Sequence, residues 1–365
     1  MKRVGIAILA LLLLLLCAPV CRAVDVTEAQ WDSIDTEALE DAASASGVEL
    51  ELDESFNLNE ALGQLGELLS GQLSAAIKDA VGSSGVLLLI VLFCEVAEGL
   101  GSLTGGAKDP VTVVGTVAVT AVSVSDVSSL MELGKTAIER IDTFSNLLIP
   151  VITTCSVASG SVTGGVARQM ATVFFSTVLV TLIDRVLIPF VYLYTGACAA
   201  AAVVDNRGLG EIARLLKWAV TSLLTVLLLL FTGYLSLTSV AAAGTDAATI
   251  KLTRTVISSM VPVVGSILSN ATETVLSGVG ILKNLVGSFG VVAVLGFCIT
   301  PFLRLGAQYL AYRLAAVLAV VISQGKIPKL IDDIAGAFAL VLGMTGTAAL
   351  LVMISVFATL AVATG

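Results

Sequence analysis

Long apolar runs dominate the chain from residue 85 onward, and they constrain the fold more than any other feature. The runs at residues 168 to 204 and 285 to 322 each exceed the roughly 20 residues that one helix needs to cross a bilayer. Hydrocarbon leaves backbone groups without partners unless they pair within the segment, so these runs are predicted to be helical. The whole chain is 57% hydrophobic and 13% charged, well outside the usage of soluble domains. We therefore predict an all-α, polytopic membrane protein.

Prolines divide the two longest runs and leave the number of crossings open. Pro189 and Pro301 each remove a helical hydrogen bond, so each run is either a tight hairpin or a sharply kinked helix. Counted with a division at each proline, the predicted spans are residues 86 to 104, 111 to 128, 168 to 188, 190 to 204, 218 to 240, 285 to 301, 303 to 322 and 335 to 362.

Basic residues favour the cytoplasmic side for two of the connections. Arg207, Arg214 and Lys217 follow one apolar run, and Lys326 and Lys329 follow another. By the positive-inside rule, both groups prefer the cytoplasm. A hairpin at the first proline fits that preference badly if the mature N-terminus lies outside the cell, so the topology depends on how the prolines are accommodated.

Residues 1 to 23 are typical of an export signal. Two basic residues precede an apolar core from Ile6 to Leu16, and Ala23 supplies the small residue that signal peptidase prefers. Cleavage after Ala23 is predicted. An uncleaved anchor is the alternative, because Arg22 is unusual next to a cleavage point.

Residues 24 to 84 form an acidic segment ahead of the predicted membrane domain at residues 85 to 365. Residues 24 to 79 contain 14 Asp and Glu against one Lys, so the net charge of -9 belongs almost wholly to this segment. Its later part is predicted to be an amphipathic helix, whose apolar face recurs at spacings of three and four. That face comprises Leu58, Leu62, Leu65, Leu69, Leu73, Ile77 and Val81. It must pack on the membrane domain, on the bilayer surface or on a partner protein.

The membrane domain shows a possible internal duplication. A shift of 112 residues places Pro150 on Pro262 and Pro189 on Pro301. Each half then reads as an apolar span, a polar interlude that begins at a proline, and an apolar run divided by the second proline. The possible repeats are residues 111 to 204 and 218 to 322, followed by a last span at 335 to 362.

The two polar interludes are the candidate functional site. Nine of the 13 residues from Thr153 to Gly165 are Ser, Thr or Gly, and ten of the 16 from Gly265 to Gly280 are Gly, Ser, Thr, Asn or Glu. Polar groups without partners are costly in hydrocarbon, so these stretches should face protein or water. A proline at the entrance favours a broken or re-entrant helix. The predicted pore-lining or helix-break residues are Pro150, Ser156, Ser159, Thr163, Pro262, Ser269, Asn270 and Glu273. Close helix packing through small residues is the alternative.

Other patterns give little support for an enzyme or for a bound cofactor. The chain contains no histidine, and its cysteines lie in apolar stretches without metal-ligand spacing. The segment at residues 129 to 136 resembles the end of a phosphate loop, but Ser129 occupies the position of the first glycine. We therefore predict a non-enzymatic protein without cofactor or metal. Ion coupling through Glu95, Glu98 or Asp184 is the alternative use of the charges near the membrane.

The run from Val261 to Leu295 resembles the stage III sporulation protein AE family of endospore-forming bacteria. The positions that match the family's pattern are Pro262, Gly265, Ala271, Thr274, Lys283, Asn284, Gly287 and Gly290. The order of signal peptide, acidic exported segment and polytopic body also agrees with that family.

This resemblance implies a multi-pass subunit in the mother-cell membrane, facing the engulfed forespore. It implies work with other stage III envelope proteins in a transenvelope complex that looks like a secretion or feeding channel, needed after engulfment. Membrane lipid and a possible homo-oligomer are further predicted partners, and the chain has no basic patch that would suggest nucleic acid. A secondary transporter with pore-lining broken helices is the alternative function.

Overall fold

The structure is a computed structural model, and it describes residues 36–48, 50–53, 56–103, 109–159, 162–204, 207–260, 265–323 and 325–361. Of these residues, 95% are helical and none lies in a strand. The all-α prediction is confirmed. The predicted signal peptide at residues 1 to 23 lies outside the described part of the chain.

The helices are long and joined by short connections. In chain order they are α1 (Thr36–Ser44), α2 (Leu58–Leu103), α3 (Asp109–Ala158), α4 (Val162–Leu182), a π-helical turn (Ile183–Leu187), α5 (Ile188–Val204), α6 (Arg207–Met260), α7 (Gly265–Ile322) and α8 (Ile327–Ala361). At 1.5 Å per residue, the 58 residues of α7 extend about 87 Å, far more than the roughly 30 Å hydrocarbon core of a bilayer.

Both dividing prolines lie inside continuous helical rods, so neither forms a hairpin. Pro301 lies within α7, and Pro189 lies in the first turn of α5, directly after the π-helical turn. In that turn the Ile188 N–H bonds to the carbonyl of Ile183, five residues earlier. The wider turn changes the carbonyl partners just before the proline, where a ring would otherwise clash with the preceding turn. Of the two alternatives at each proline, the structure therefore takes the continuous helix.

In the described part of the chain, six stretches are long and apolar enough to cross a membrane. A division of the two longest runs at their prolines would instead give eight spans. They are Leu58–Leu100, Pro110–Ala158, Gly164–Val204, Gly208–Thr238, Gly278–Ile322 and Ile327–Leu360. Because the connections are short, consecutive rods run antiparallel. The connections after Val204 and after Ile322 therefore lie at the same end of the bundle, called here the basic end, and the connection between α3 and α4 lies at the opposite, outer end.

Helices α7 and α8 form the centre of the bundle. In these two helices 61% and 56% of the most apolar stretch is buried, against 22–28% in the other four candidate spans. Two hydrophobic clusters share the core. The larger cluster contains side chains from every helix from α2 through α8 and lies towards the basic end. The smaller cluster lies towards the outer end, where α1, residues 48, 50 and 52 and the start of α2 pack on α3, α7 and α8.

Helix α2 joins two parts that the sequence separates. It runs without interruption through residues 84 and 85, where the predicted exported segment meets the predicted membrane domain. On its amphipathic face Leu65 is buried, but Leu62, Leu69 and Leu73 are exposed. The remaining members of that face, Leu58, Ile77 and Val81, are also exposed. Packing within the described chain therefore accounts for little of this face.

Candidate functional site

The first polar interlude is a tight connection between two packed helices. Helix α3 continues through Pro150 and ends at Ala158, and α4 begins at Val162. The missing N–H of Pro150 frees one carbonyl of the preceding turn, but the helix persists because α3 is packed along its length. The predicted helix break therefore lies eight residues beyond Pro150, at the glycine- and serine-rich residues.

Ser156 and Ser159 lie at this connection in different environments. The Ser156 side chain is fully buried, and its hydroxyl has no hydrogen-bond partner among the described residues. The Ser159 hydroxyl is half-buried and donates to the Ser156 carbonyl at 2.9 Å. A Cβ on Gly165 would lie 3.4 Å from the Cβ of Ser156, so α4 passes closely over this serine. Small residues thus allow close packing of α4 on the end of α3. The side chain of Thr163 lies outside the part of the chain that the structure describes.

Two cationic side chains are buried beside this connection. Arg168, on the second turn of α4, is 1% exposed, and Lys283 on α7 is 0% exposed. The Lys283 Nζ has no hydrogen-bond partner in the part of the chain that the structure describes. It lies within electrostatic range of the Arg168 guanidinium and of Cys155. We call Ser156, Arg168 and Lys283 the cationic cluster.

The cationic cluster is energetically unusual. Burial of an ammonium group without an acceptor costs several kcal/mol, and a second cation nearby adds repulsion. Such a group is retained only where an anion or water contacts it, or where it loses its proton and becomes neutral. Sequence reasoning missed Arg168 as a site residue. The signal that was available is a guanidinium at the start of a long apolar run.

The family-pattern residues of α7 form one packing seam. Lys283, Gly287 and Gly290 recur at spacings of four and three, and all three are buried. A Cβ on Gly287 would lie 2.7 Å from Leu360 on α8, and one on Gly290 would lie 2.9 Å from Cδ1 of Leu148 on α3. These glycines let α7 approach both neighbours closely. Asn284 points away from the seam and is exposed, and Gly265 is the first residue of α7.

The second polar interlude is described only as backbone up to residue 277. Pro262 lies outside the described residues, and so do the side chains of Ser269, Asn270 and Glu273 within α7. The pore-wall role of these residues stays a prediction, and so does the internal duplication.

Nearer the basic end, carboxylates are paired across helices. Asp126 on α3 accepts hydrogen bonds from Gln308 at 2.9 Å and from Tyr312 at 2.7 Å, both on α7. Arg313 on α7 contacts Asp332 on α8 at 2.6 Å. These contacts join residues about 180 positions apart or on separate helices, and the local sequence carries no sign of them.

Two of the three acids that the sequence singles out for ion coupling have partners. Glu98 accepts a hydrogen bond from Thr112 at 2.6 Å, and Asp184 lies 3.6 Å from Lys135. Glu95 is half-buried. Among the described residues, no group of three His, Cys, Asp or Glu side chains is placed to hold a metal ion.

The chain is similar to one known protein family over most of its length. The family model described as stage III sporulation protein AE matches residues 53–363. A protein of Bacillus subtilis (strain 168) named stage III sporulation protein AE is 23% identical over 253 residues. The aligned part covers 68% of this chain and 63% of that relative's length. No solved structure matches the chain.

Proposed function

The chain belongs to the stage III sporulation protein AE family, and on that premise we propose that it is a non-enzymatic membrane subunit of a transenvelope channel complex. The complex would connect the mother cell with the forespore and support forespore development after engulfment. The observation that carries the proposal is the extent of the family match, which includes all six candidate spans over residues 53–363.

The arrangement of charge supports one orientation of the protein in the membrane. Arg214, Lys217, Lys326 and Lys329 all lie at the basic end, which the positive-inside rule assigns to the mother-cell cytoplasm. Helix α1 packs against α3 near the outer end, which would then face the space between the two membranes. Helices of 46 to 58 residues are longer than a bilayer requires, which supports a body that projects towards the forespore.

The exposed leucine face of α2 supports a role as an assembly platform. Leu69 lines an apolar groove of about 560 Å³ between α2, α7 and α8, and Leu62 and Leu73 are exposed on the same helix. The same end of the chain carries Glu60 and Glu67, and an acidic helix is not attracted to anionic lipid. We therefore assign this face to another envelope protein of the complex.

The cationic cluster supports a conduit or an assembly contact at the outer end. A fully buried Lys283 without an acceptor among the described residues is costly in a closed core, but it is stable beside water or an acid. In the assembled complex this end would open to water or receive a carboxylate. The predicted wall residues Ser156, Ser159, Ser269, Asn270 and Glu273 belong to the same end of the bundle.

A deletion in the spore-forming host tests the proposal. We expect sporulation to arrest after engulfment, with rescue by the wild-type gene and co-purification of other sporulation envelope proteins with the rescued protein. Normal spore yield without the gene would contradict the proposal. Saturable solute uptake by the purified protein in liposomes, abolished by Glu95→Gln or Glu273→Gln, would instead establish the transporter alternative.

Tryptophan substitutions test the conduit separately from the assembly role. We expect Ser159→Trp and Asn270→Trp to reduce spore yield while protein level and membrane insertion stay normal. Thr177→Trp is the matched control, because Thr177 is exposed on the outer surface of α4. Loss of protein in Ser159→Trp and Asn270→Trp, with a normal level of Thr177→Trp, would indicate a packing role for the interludes.

A further inference from the structure

The basic end of the bundle contains a polar cavity that the proposed channel role does not use. The cavity has a volume of about 320 Å³, within the size range of small-ligand sites. Its polar lining consists of Tyr194, Arg214, Lys217, Lys326, Lys329 and Asp333. Tyr194 belongs to α5, the next two residues to α6, and Lys329 and Asp333 to α8, so three rods and the α7–α8 connection meet here.

Positive charge exceeds negative charge in this cavity. Among the described residues, four cationic side chains line it against one carboxylate, which gives a formal lining charge of +3 (4 − 1). Lys217 and Lys329 lie within electrostatic range of Asp333 and also of Cys198 at the inner wall, so their charges converge on one volume. One of these two lysines is enough to neutralise Asp333, so the charge of the other lysine is not balanced by this carboxylate.

The neighbouring acids do not balance the excess. Glu211 pairs with Arg214 at 2.9 Å, which reduces the charge that this arginine presents to the cavity. Asp332 lies 2.6 Å from Arg313, so its charge is already paired. With Arg214 discounted, Lys217 and Lys329 share one carboxylate, Asp333, among the described lining residues.

The backbone adds to the positive field. Helix α6 begins at Arg207 and α8 begins at Ile327, and Gly210 and Lys329 in their first turns line the cavity. The N-terminus of a helix carries partial positive charge and unpaired N–H groups that favour anions. Two such ends, together with three lysines, make a stronger anion site than either feature alone.

The wall is built to bring Lys217 inward. A Cβ on Gly336 of α8 would lie 3.1 Å from Nζ of Lys217. The absence of a side chain at residue 336 therefore leaves room for this ammonium group beside the helix backbone. The Tyr194 hydroxyl lies at the same place and donates to the main-chain oxygen of Asp333, which fixes the floor of the cavity.

We propose that this cavity binds a phosphate group, held by Lys217, Lys326 and Lys329 between the first turns of α6 and α8. The group would be carried either by an anionic phospholipid or by a soluble phosphate compound. Both sources present a phosphate group, whose oxygens accept charge-assisted hydrogen bonds from cationic side chains. Basic pockets between transmembrane helices on the cytoplasmic side are also suited to lipid headgroups. This proposal does not depend on the sporulation role.

The test uses the full-length protein in nanodiscs and follows its thermal unfolding midpoint with two probes. One arm compares nanodiscs of phosphatidylcholine with nanodiscs that contain phosphatidylglycerol. The other arm adds inorganic phosphate or ATP to the phosphatidylcholine nanodiscs at constant ionic strength. A rise with phosphatidylglycerol alone identifies a lipid as the source, and a rise with the soluble probes identifies a soluble phosphate.

Variants connect the binding to the cavity. For Lys217→Gln with Lys329→Gln, we expect the apparent affinity for the effective probe to fall at least about tenfold, because each charged hydrogen bond to the anion is lost. The same positions changed to Arg should keep most of the affinity. Lys135→Gln is the matched control, since this lysine is paired with Glu139 and Asp184 away from the cavity.

Two results would overturn the proposal. One is the absence of any rise in the wild-type protein with either probe. The other is an equal rise in the wild-type protein and the double Gln variant. If the double variant does not fold, native mass spectrometry of the wild-type protein decides the question. Retention of one phosphatidylglycerol, or of one phosphate compound, supports the site, and bare protein refutes it.

Discussion

Towards the basic end of the bundle, half-buried carboxylates are paired with donors on neighbouring helices. At the outer end a lysine and an arginine are buried, and a buried serine hydroxyl has no partner among the described residues. Asp126 accepts from Gln308 and Tyr312 in the first region. In the second region Lys283 is fully buried without an acceptor in the described chain. The two regions belong to the same helices, so helix packing alone does not explain the difference.

Polar groups at the basic end stabilise the fold, whereas the buried cation at the outer end reduces its stability. A hydrogen-bonded, half-buried acid resists removal, because its loss leaves the donors unsatisfied. A buried cation without an acceptor reduces stability, so its presence calls for a function or for a partner that arrives later. We therefore expect removal of the acid at the basic end and removal of the cation at the outer end to differ in their effect on stability.

The largest expected effect is at Asp126. Asp126→Ala should lower the free energy of unfolding by about 3 kcal/mol, because two donors on α7 lose their shared acceptor. Equilibrium unfolding in mixed detergent would measure it. Glu132→Ala, on the exposed side of the same helix, is the control and should change stability by less than about 0.5 kcal/mol. Equal effects of the two variants would remove the contrast between the regions.

The next effect concerns the packing of the outer end. Gly290→Ala should destabilise the protein by about 2 kcal/mol, because the new methyl group would overlap with Leu148. Gly306→Ala, on the same helix with open space around it, should stabilise by up to about 1 kcal/mol through helix propensity. The same assay applies to both. If Gly290→Ala also stabilises, the outer end is looser than the structure indicates.

A smaller effect is expected at Arg313. Arg313→Lys keeps the charge but loses the planar contact with Asp332 and the position over the Tyr309 ring, at 5.5 Å from its centroid. Both partners are partly exposed, so we expect a loss of about 1 kcal/mol. Arg304→Lys, an exposed position on the same helix, should be nearly neutral. A larger loss would show that pairs at the basic end are shielded from water in the assembled state.

The smallest effect on stability, and the sharpest test of the comparison, is at Lys283. Lys283→Met should leave the free energy of unfolding unchanged or raise it slightly, because an apolar chain replaces an uncompensated charge. Spore yield should nevertheless fall. Asn284→Ala, the exposed neighbour, should affect neither measurement. Strong destabilisation by Lys283→Met would mean that the ammonium group is already satisfied in the isolated protein.

Part of the candidate site was predictable from the sequence. The Ser- and Gly-rich stretch at residues 153 to 165 marks a helix connection, and the pattern that includes Lys283 and Gly287 identifies the family. The position of the break was not predictable from Pro150. A proline removes one hydrogen bond, and whether the helix continues depends on the neighbours that pack against the next two turns. Arg168 was missed because its burial beside α7 arises from a contact 115 positions away in the chain.

The helical class, the membrane character and the family can be read from the sequence, because apolar length, charge content and residue pattern are local properties of the chain. The folded bundle is needed to establish that Pro189 and Pro301 lie within continuous rods, which reduces eight possible spans to six and gathers the basic connections at one end. It also establishes which polar groups are paired. Both outcomes depend on contacts between distant helices, and such contacts are fixed by packing of the whole bundle.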